Sequence, residues 1–139
     1  MKAFQDVDSS ILVLKKDEDL IDRLNNYASE TNLQSGWVNI IGSSSKLTLA
    51  FYDKDKREYQ LQDFNEPLEI IGLQGNLAYI DDQPFWHIHG TFSRADYTVI
   101  GGHVKSCTIG LTGEVFIQNH AQKLRREFDD ETGLNLLTS

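Results

Sequence analysis

Three of the four histidines in the chain stand in one short stretch, Phe85-Trp-His-Ile-His-Gly-Thr-Phe-Ser-Arg-Ala-Asp-Tyr-Thr-Val-Ile-Gly-Gly-His-Val104. A neutral imidazole offers a nitrogen lone pair near neutral pH, so three of them brought together can hold a divalent ion. Whether they meet depends on the backbone. Runs 85 to 93 and 97 to 104 are rich in aromatic and β-branched residues and flank the turn-forming Arg94, Ala95 and Asp96, which predicts an antiparallel hairpin. A turn centred on Ala95 pairs Ser93 with Tyr97, Thr91 with Val99, His89 with Gly101, and His87 with His103. All three imidazoles then share one face, because side chains two apart on a strand point the same way.

On such a face, neighbours two apart lie roughly 6.6 Å from each other and opposed pairs about 5 Å. Rings leaning inward from those positions can place their nitrogens about 2 Å from a common ion. A lone His-x-His on a wet strand more commonly hydrogen-bonds to water and carboxylates. The third histidine in matching register is what points to a metal, with ligands His87, His89 and His103. An all-imidazole set suits zinc, copper, iron or nickel, and zinc is the first expectation. No cofactor-binding motif is found, and no catalytic residue is assigned.

The rest of the chain has to position that hairpin. Its 139 residues have room for one domain, residues 1–139, and one core. The hydrophobic fraction is 40% and the charged fraction 24%, as in ordinary globular proteins. No apolar run approaches the roughly 18 residues of a spanning helix, and the N-terminal residues have no hydrophobic signal segment, so a cytoplasmic protein with no membrane partner is expected. One cysteine, Cys107, cannot form an internal disulfide. Its place on an apolar strand face predicts burial rather than catalysis. The 21 acidic residues outnumber the 13 lysines and arginines, giving a net charge of -8 that opposes long-range attraction to phosphates. Two basic runs, Lys54/Lys56/Arg57 and Lys123/Arg125/Arg126, are interleaved with or followed by acids and read as solvated mixed-charge surface.

Strand patterns occur at 10 to 14, 37 to 41, 46 to 52, 57 to 62, 68 to 80 and 106 to 118. Gly42-Ser-Ser-Ser45 reads as a hairpin link, and it lacks the spaced glycines and lysine of a phosphate loop. Gly72 and Gly75 predict a bulge or sharp bend in the strand from 68 to 80. A single helix is expected over 18 to 31, with acidic residues at its start and Leu20, Ile21, Leu24, Tyr27 and Ala28 on one face. The tail after His120 holds Leu124, Phe128, Leu134, Leu136 and Leu137, too many apolar residues to hang free, so it should dock on the sheet. His120 itself reads as a surface residue. The expected class is α+β: a single domain with a mainly antiparallel, curled sheet and one main covering helix.

Several separated pieces together resemble the PPC family, the "plants and prokaryotes conserved" domain. They are Trp37-Val-Asn-Ile-Ile-Gly-Ser43, Leu47-Thr-Leu-Ala-Phe-Tyr-Asp53, Leu68-Glu-Ile-Ile-Gly-Leu-Gln-Gly-Asn76, His87-Ile-His89, Gly101-Gly-His-Val104, Leu124-Arg-Arg-Glu-Phe-Asp129 and Thr132-Gly-Leu-Asn-Leu-Leu137. The resemblance implies a compact domain assembled as a homotrimer, with a metal site at His87, His89 and His103. It also carries a DNA-binding label, because plant members bear AT-hook segments. This chain has no Arg-Gly-Arg-Pro segment to place in a minor groove. DNA association is therefore expected by family analogy only, and not from the chain by itself.

The competing expectation is a metal-dependent enzyme acting on a small molecule. Three histidines leave a coordination position open, where a water could be activated or a substrate oxygen polarised. Cupin-type oxygenases follow His-x-His closely with a glutamate, and residues 90 to 94 contain none. Glu69 or Glu114 would have to come from another strand.

Overall fold

The computed structural model describes residues 1–138. One helix and nine strands follow the chain as β1 (Lys2–Gln5), β2 (Ser9–Lys15), α1 (Leu20–Glu30), β3 (Ser35–Asp53), β4 (Glu58–Phe64), β5 (Leu68–Ile80), β6 (Gln83–Ser93), β7 (Val99–His120), β8 (Arg125–Asp129) and β9 (Leu134–Thr138). All nine strands belong to one sheet, mainly antiparallel, as the alternation predicts. β3 pairs with both β5 and β7, and β6 also pairs with both, so these four strands close on themselves. The curl follows from that closure.

Ile40, Leu73, Ile88, Phe92 and Ile117 point into a single hydrophobic core. Each such side chain contributes about 1.5–3 kcal/mol relative to exposure. α1 packs against β6 and β7 and buries Leu20, Leu24, Tyr27 and Ala28. Its start is set by Asp19, whose carboxylate accepts from Asp22 N at 3.0 Å. Gly90 is the one residue that fits where β6 passes over the core, since a Cβ there would collide with Leu73 and press on Phe92.

The hairpin expected at Gly42-Ser-Ser-Ser45 is absent, and β3 runs straight through it for 19 residues. The serines serve the ladder instead of a turn. Register shifts between Ile40 and Gly42 against β5, and from Gly42 to Lys46 against β7, leave backbone groups without strand partners. Ser43 Oγ accepts from Leu111 N at 2.9 Å, and Ser44 Oγ can donate to Thr108 O at 3.1 Å or Lys46 O at 2.9 Å. Gly42, at φ 147°, lies so close to Thr112 O that no side chain would fit. Likewise the strands expected at 97 to 104 and 106 to 118 are one, the 22-residue β7. β1, exposed along its length, carries no apolar alternation and was not predicted.

The tail does dock, with Leu124 and Leu134 half-buried. β8 and β9 form a hairpin joined to β5 by the Tyr79 and Arg125 bridge and by Tyr79 N donating to Leu124 O at 2.9 Å. Phe128, Leu136 and Leu137 stay exposed, while Arg126 is buried.

Candidate metal centre

The histidine hairpin turns one residue later than predicted. Arg94 N donates to Thr98 O and Tyr97 N to Arg94 O, both at 2.9 Å, so the loop is Ala95, Asp96 and Tyr97. Tyr97 takes the left-handed conformation at φ 65°, which commonly goes to glycine in such loops. Asp96 offsets that cost by accepting from Thr98 N at 2.9 Å and Thr98 Oγ1 at 2.6 Å. Centring the turn on Asp96 shifts every pair by two residues. His89 faces His103 and Thr91 faces Gly101, whereas His87 pairs across its other edge with Asn76. A shift of two preserves the pleat, so the three imidazoles still project from one face.

Their ring centroids form a nearly equilateral triangle, with 4.9 Å between His87 and His89, 5.3 Å between His87 and His103, and 5.5 Å between His89 and His103. One nitrogen from each ring lies within 4.8 Å of the other two. His87 Nε2 and His89 Nε2 are 3.2 Å apart. Two nitrogens on a tetrahedral ion at the usual zinc distance are about 3.3 Å apart, so that edge is already the right length.

His89 is exposed, His87 half-buried and His103 only 8% exposed. Tyr59 of β4 stacks on His103 with centroids 5.2 Å apart and planes 25° from parallel. Tyr59 in turn leans on Tyr52, whose hydroxyl donates to Thr132 O at 2.6 Å in the β8–β9 connection. Burial pushes the His103 pKa down to about 4, helped by His87, His89, Lys105 and Arg126. Burial also lowers that of His87, with contributions from Arg126 and His89. Both rings are thus neutral at pH 7 and keep lone pairs to give. Buried His103 Nδ1 has no hydrogen-bond partner, a costly state unless something meets the ring. The donor set and this unmet nitrogen fit a borderline divalent ion.

Beside His87 and His103 opens a cavity of about 260 Å³, lined also by Tyr59, Lys105, Arg126 and the start of β9. Among the described residues no carboxylate lines it. Glu69 is opposite Ser93 at the far end of β6, and Glu114 is opposite Val13 and Ile41, so neither approaches the imidazoles. His120 is apart at the end of β7, with Nδ1 3.3 Å from Ser35 Oγ. Cys107 is buried as expected, its thiol pushed up to about 11 by desolvation.

Arg126 corrects the reading of the basic tail. Lys123 and Arg125 are surface cations paired with Asp82 at 2.9 and 3.3 Å. Arg126 turns inward, 9% exposed, beside the histidine cavity. Strand alternation puts it on the face of Leu124 and Phe128, but Phe128 is exposed, so local spacing gives no sign of its direction. Tyr59 was missed because contact between β4 and β7 across β3 leaves no mark in local spacing.

Among solved structures, a candidate DNA-binding protein from Bacteroides thetaiotaomicron is 27% identical and superposes with a TM-score of 0.95, covering 99% of this chain and 96% of the other. A metal-containing protein of Archaeoglobus fulgidus is 30% identical with a TM-score of 0.87, each chain covered in full. A plant- and prokaryote-conserved protein of Pyrococcus horikoshii has the same fold, with 20% identity, a TM-score of 0.87, and 99% and 94% of the two chains covered. No curated protein matches the sequence. The family model of the Plants and Prokaryotes Conserved (PCC) domain matches residues 1–121.

Proposed function

The chain belongs to the Plants and Prokaryotes Conserved domain family, and we propose that within it the protein is a homotrimeric metal-holding module, a single domain over 1–139, that takes a small ligand at the metal. The observation that carries this is the convergence of three imidazoles, at His87, His89 and His103, two of which line a cavity where the described residues place no carboxylate. The metal-containing relative from Archaeoglobus fulgidus supports the same assignment. Zinc is the first choice for the ion, with iron, nickel and copper behind it. Such an ion would supply Lewis acidity to one oxygen of whatever ligand completes its shell.

The trimer has support on the sheet's outer face. Ile11, Ile41, Ile71 and Phe116 are between 42% and 55% exposed and border one shallow groove, and Ile11 pairs directly with Phe116. A contiguous apolar patch of this kind favours burial against another chain. Association with DNA, proposed for the Bacteroides relative by its description, would here need a partner. The net charge is -8, and Lys56, Lys123 and Arg125 are tied to Asp53 and Asp82. Among the described residues no helix is long and apolar enough to cross a membrane.

A second reading, a metal-dependent enzyme, is favoured by the cavity that opens directly onto two of the imidazoles. It is unlike the cupin pattern, having no glutamate beside the histidines. The test of the metal assignment is ion content per chain, measured without a histidine tag, in the wild type and in His87→Ala, His89→Ala, His103→Ala and His120→Ala. Loss of the ion in the first three variants and retention in the fourth is expected, with folding checked by circular dichroism. Equal loading in all five proteins would overturn it.

A further inference from the structure

We infer that Arg126 and the three-imidazole centre together form the binding site for a small oxyanion, a carboxylate or phosphate group held between guanidinium and metal. The charge census of the cavity points there. Arg126 Nη2 donates to Asn76 Oδ1 at 2.8 Å and Nη1 to Asn135 O at 3.2 Å, while Nε is buried with no partner. Among the described residues no carboxylate pairs with Arg126, although Arg23, Arg94 and Arg125 each have one. Lys105, at the same cavity, has only the Tyr59 ring, 5.9 Å away.

A buried guanidinium is seldom left without a counter-charge, since taking it from water costs several kcal/mol. Here, among the described residues, two neutral amide oxygens and the Phe85 ring, 5.6 Å away, are all it has. In a chain of net charge -8, one concavity lined by Arg126 and Lys105, with no acid among the described residues that line it, focuses positive potential. Guanidinium geometry matches the paired oxygens of a carboxylate or phosphate. The volume, about 260 Å³, suits a small metabolite rather than a polymer. Arg126 sits on β8, held by the β8–β9 hairpin whose Leu134 and Asn135 line the cavity, so that hairpin is the structural source of the anion anchor.

The guanidinium anchor stands by itself, while the second anchor rests on the metal assignment above. The experiment therefore uses both forms of the protein. Inorganic phosphate and acetate are titrated separately into metal-free and zinc-loaded protein, with the Arg126 Nε–H resonance followed by NMR. Zinc affinity is measured in parallel. Both anions should shift that resonance in the metal-free protein, and bind at least tenfold more tightly when zinc is present. Arg126→Gln should weaken anion binding at least tenfold without weakening zinc binding, with Arg126→Lys intermediate for the anion. Comparing acetate with phosphate assigns the preferred oxyanion. If zinc does not bind but the metal-free shift appears, the metal assignment fails and the guanidinium site stands. If neither anion moves the Nε–H resonance, or if both bind Arg126→Gln and Arg126→Lys as tightly as wild type, the site does not exist.

Discussion

Replacing Arg126 with methionine, close in volume but uncharged, tests whether the buried guanidinium is satisfied by the protein itself. Its two hydrogen bonds, at 2.8 and 3.2 Å, gain about 1.5–3 kcal/mol each as bonds from a charged donor. The Phe85 ring, 5.6 Å from the guanidinium carbon, adds about 0.5–1 kcal/mol. Against these stand several kcal/mol of desolvation and an unpartnered Nε. Asn76 is half-buried and Asn135 exposed, so the Asn76 side chain and the Asn135 carbonyl can accept from water once the arginine is gone. Opposing contributions of this size nearly cancel, and Arg126→Met should lie within about 1 kcal/mol of wild type in buffer without oxyanions. Phosphate at ten times its dissociation constant should then add about 1.4 kcal/mol to the wild type. For a domain of this length that is about 4 °C in Tm. The variant should show only the general salt effect. Urea denaturation and calorimetry measure both quantities. A loss of 3 kcal/mol or more without phosphate, or an equal gain in both proteins, would show that Arg126 already has its partners.

Three other outcomes are expected. Glu18 is partly desolvated by burial, which raises its pKa, but bonds from Lys15 N and the N-terminal amine together with Arg23 outweigh this and hold it below the usual value of 4.5. Its contribution to stability is therefore present above pH 4.5 and lost as pH falls through the lowered pKa, so the stability difference between wild type and Glu18→Gln should shrink toward zero in acid. A difference that stays constant or grows on acidification in urea titrations would contradict that. Light scattering should give the mass of three 15.8 kDa chains, and Ile41→Glu on the outer apolar face should lower it. A micromolar wild-type monomer would remove the trimer. Generic duplex DNA should not bind the isolated chain at about 150 mM salt, and submicromolar affinity with a steep salt dependence would reveal a basic surface unlike the paired one described.

Strands were legible wherever a hydrophobic pattern had one face to bury, and illegible where the backbone solved a local problem with polar residues. Gly42-Ser-Ser-Ser45 has turn composition, yet those hydroxyls complete a bulged ladder inside β3. What decides between the two is the partner strand. Ser43 and Ser44 are useful only because Leu111 N and Thr108 O lie opposite, some 65 residues away in sequence. Composition cannot report such a pairing. β1 was invisible for a related reason, since an exposed edge strand needs only backbone partners, and β2 supplies them.

The histidine face was read correctly from an incorrect register, and the reason is parity. A turn displaced by one residue moves both strands past each other by two, which passes His103 from His87 to His89 and Gly101 from His89 to Thr91 but leaves inward and outward faces unchanged. Only a displacement by an odd number of positions would have sent His103 into the core, where Val104 and Cys107 are. Such a slip would also have brought core residues of β7 into water, so burial fixes the parity strongly while the turn chemistry of Asp96 and Tyr97 fixes the remaining choice. Arg126 had no comparable constraint. Its burial depends on a cavity formed by β4, β6, β7 and the final hairpin together, and the charged run in which it stands looks like surface to any local test. Alternation fixes a face reliably where many core residues depend on it, as in β6 and β7. In a five-residue strand at the sheet's margin, the direction of one arginine is settled by what it meets.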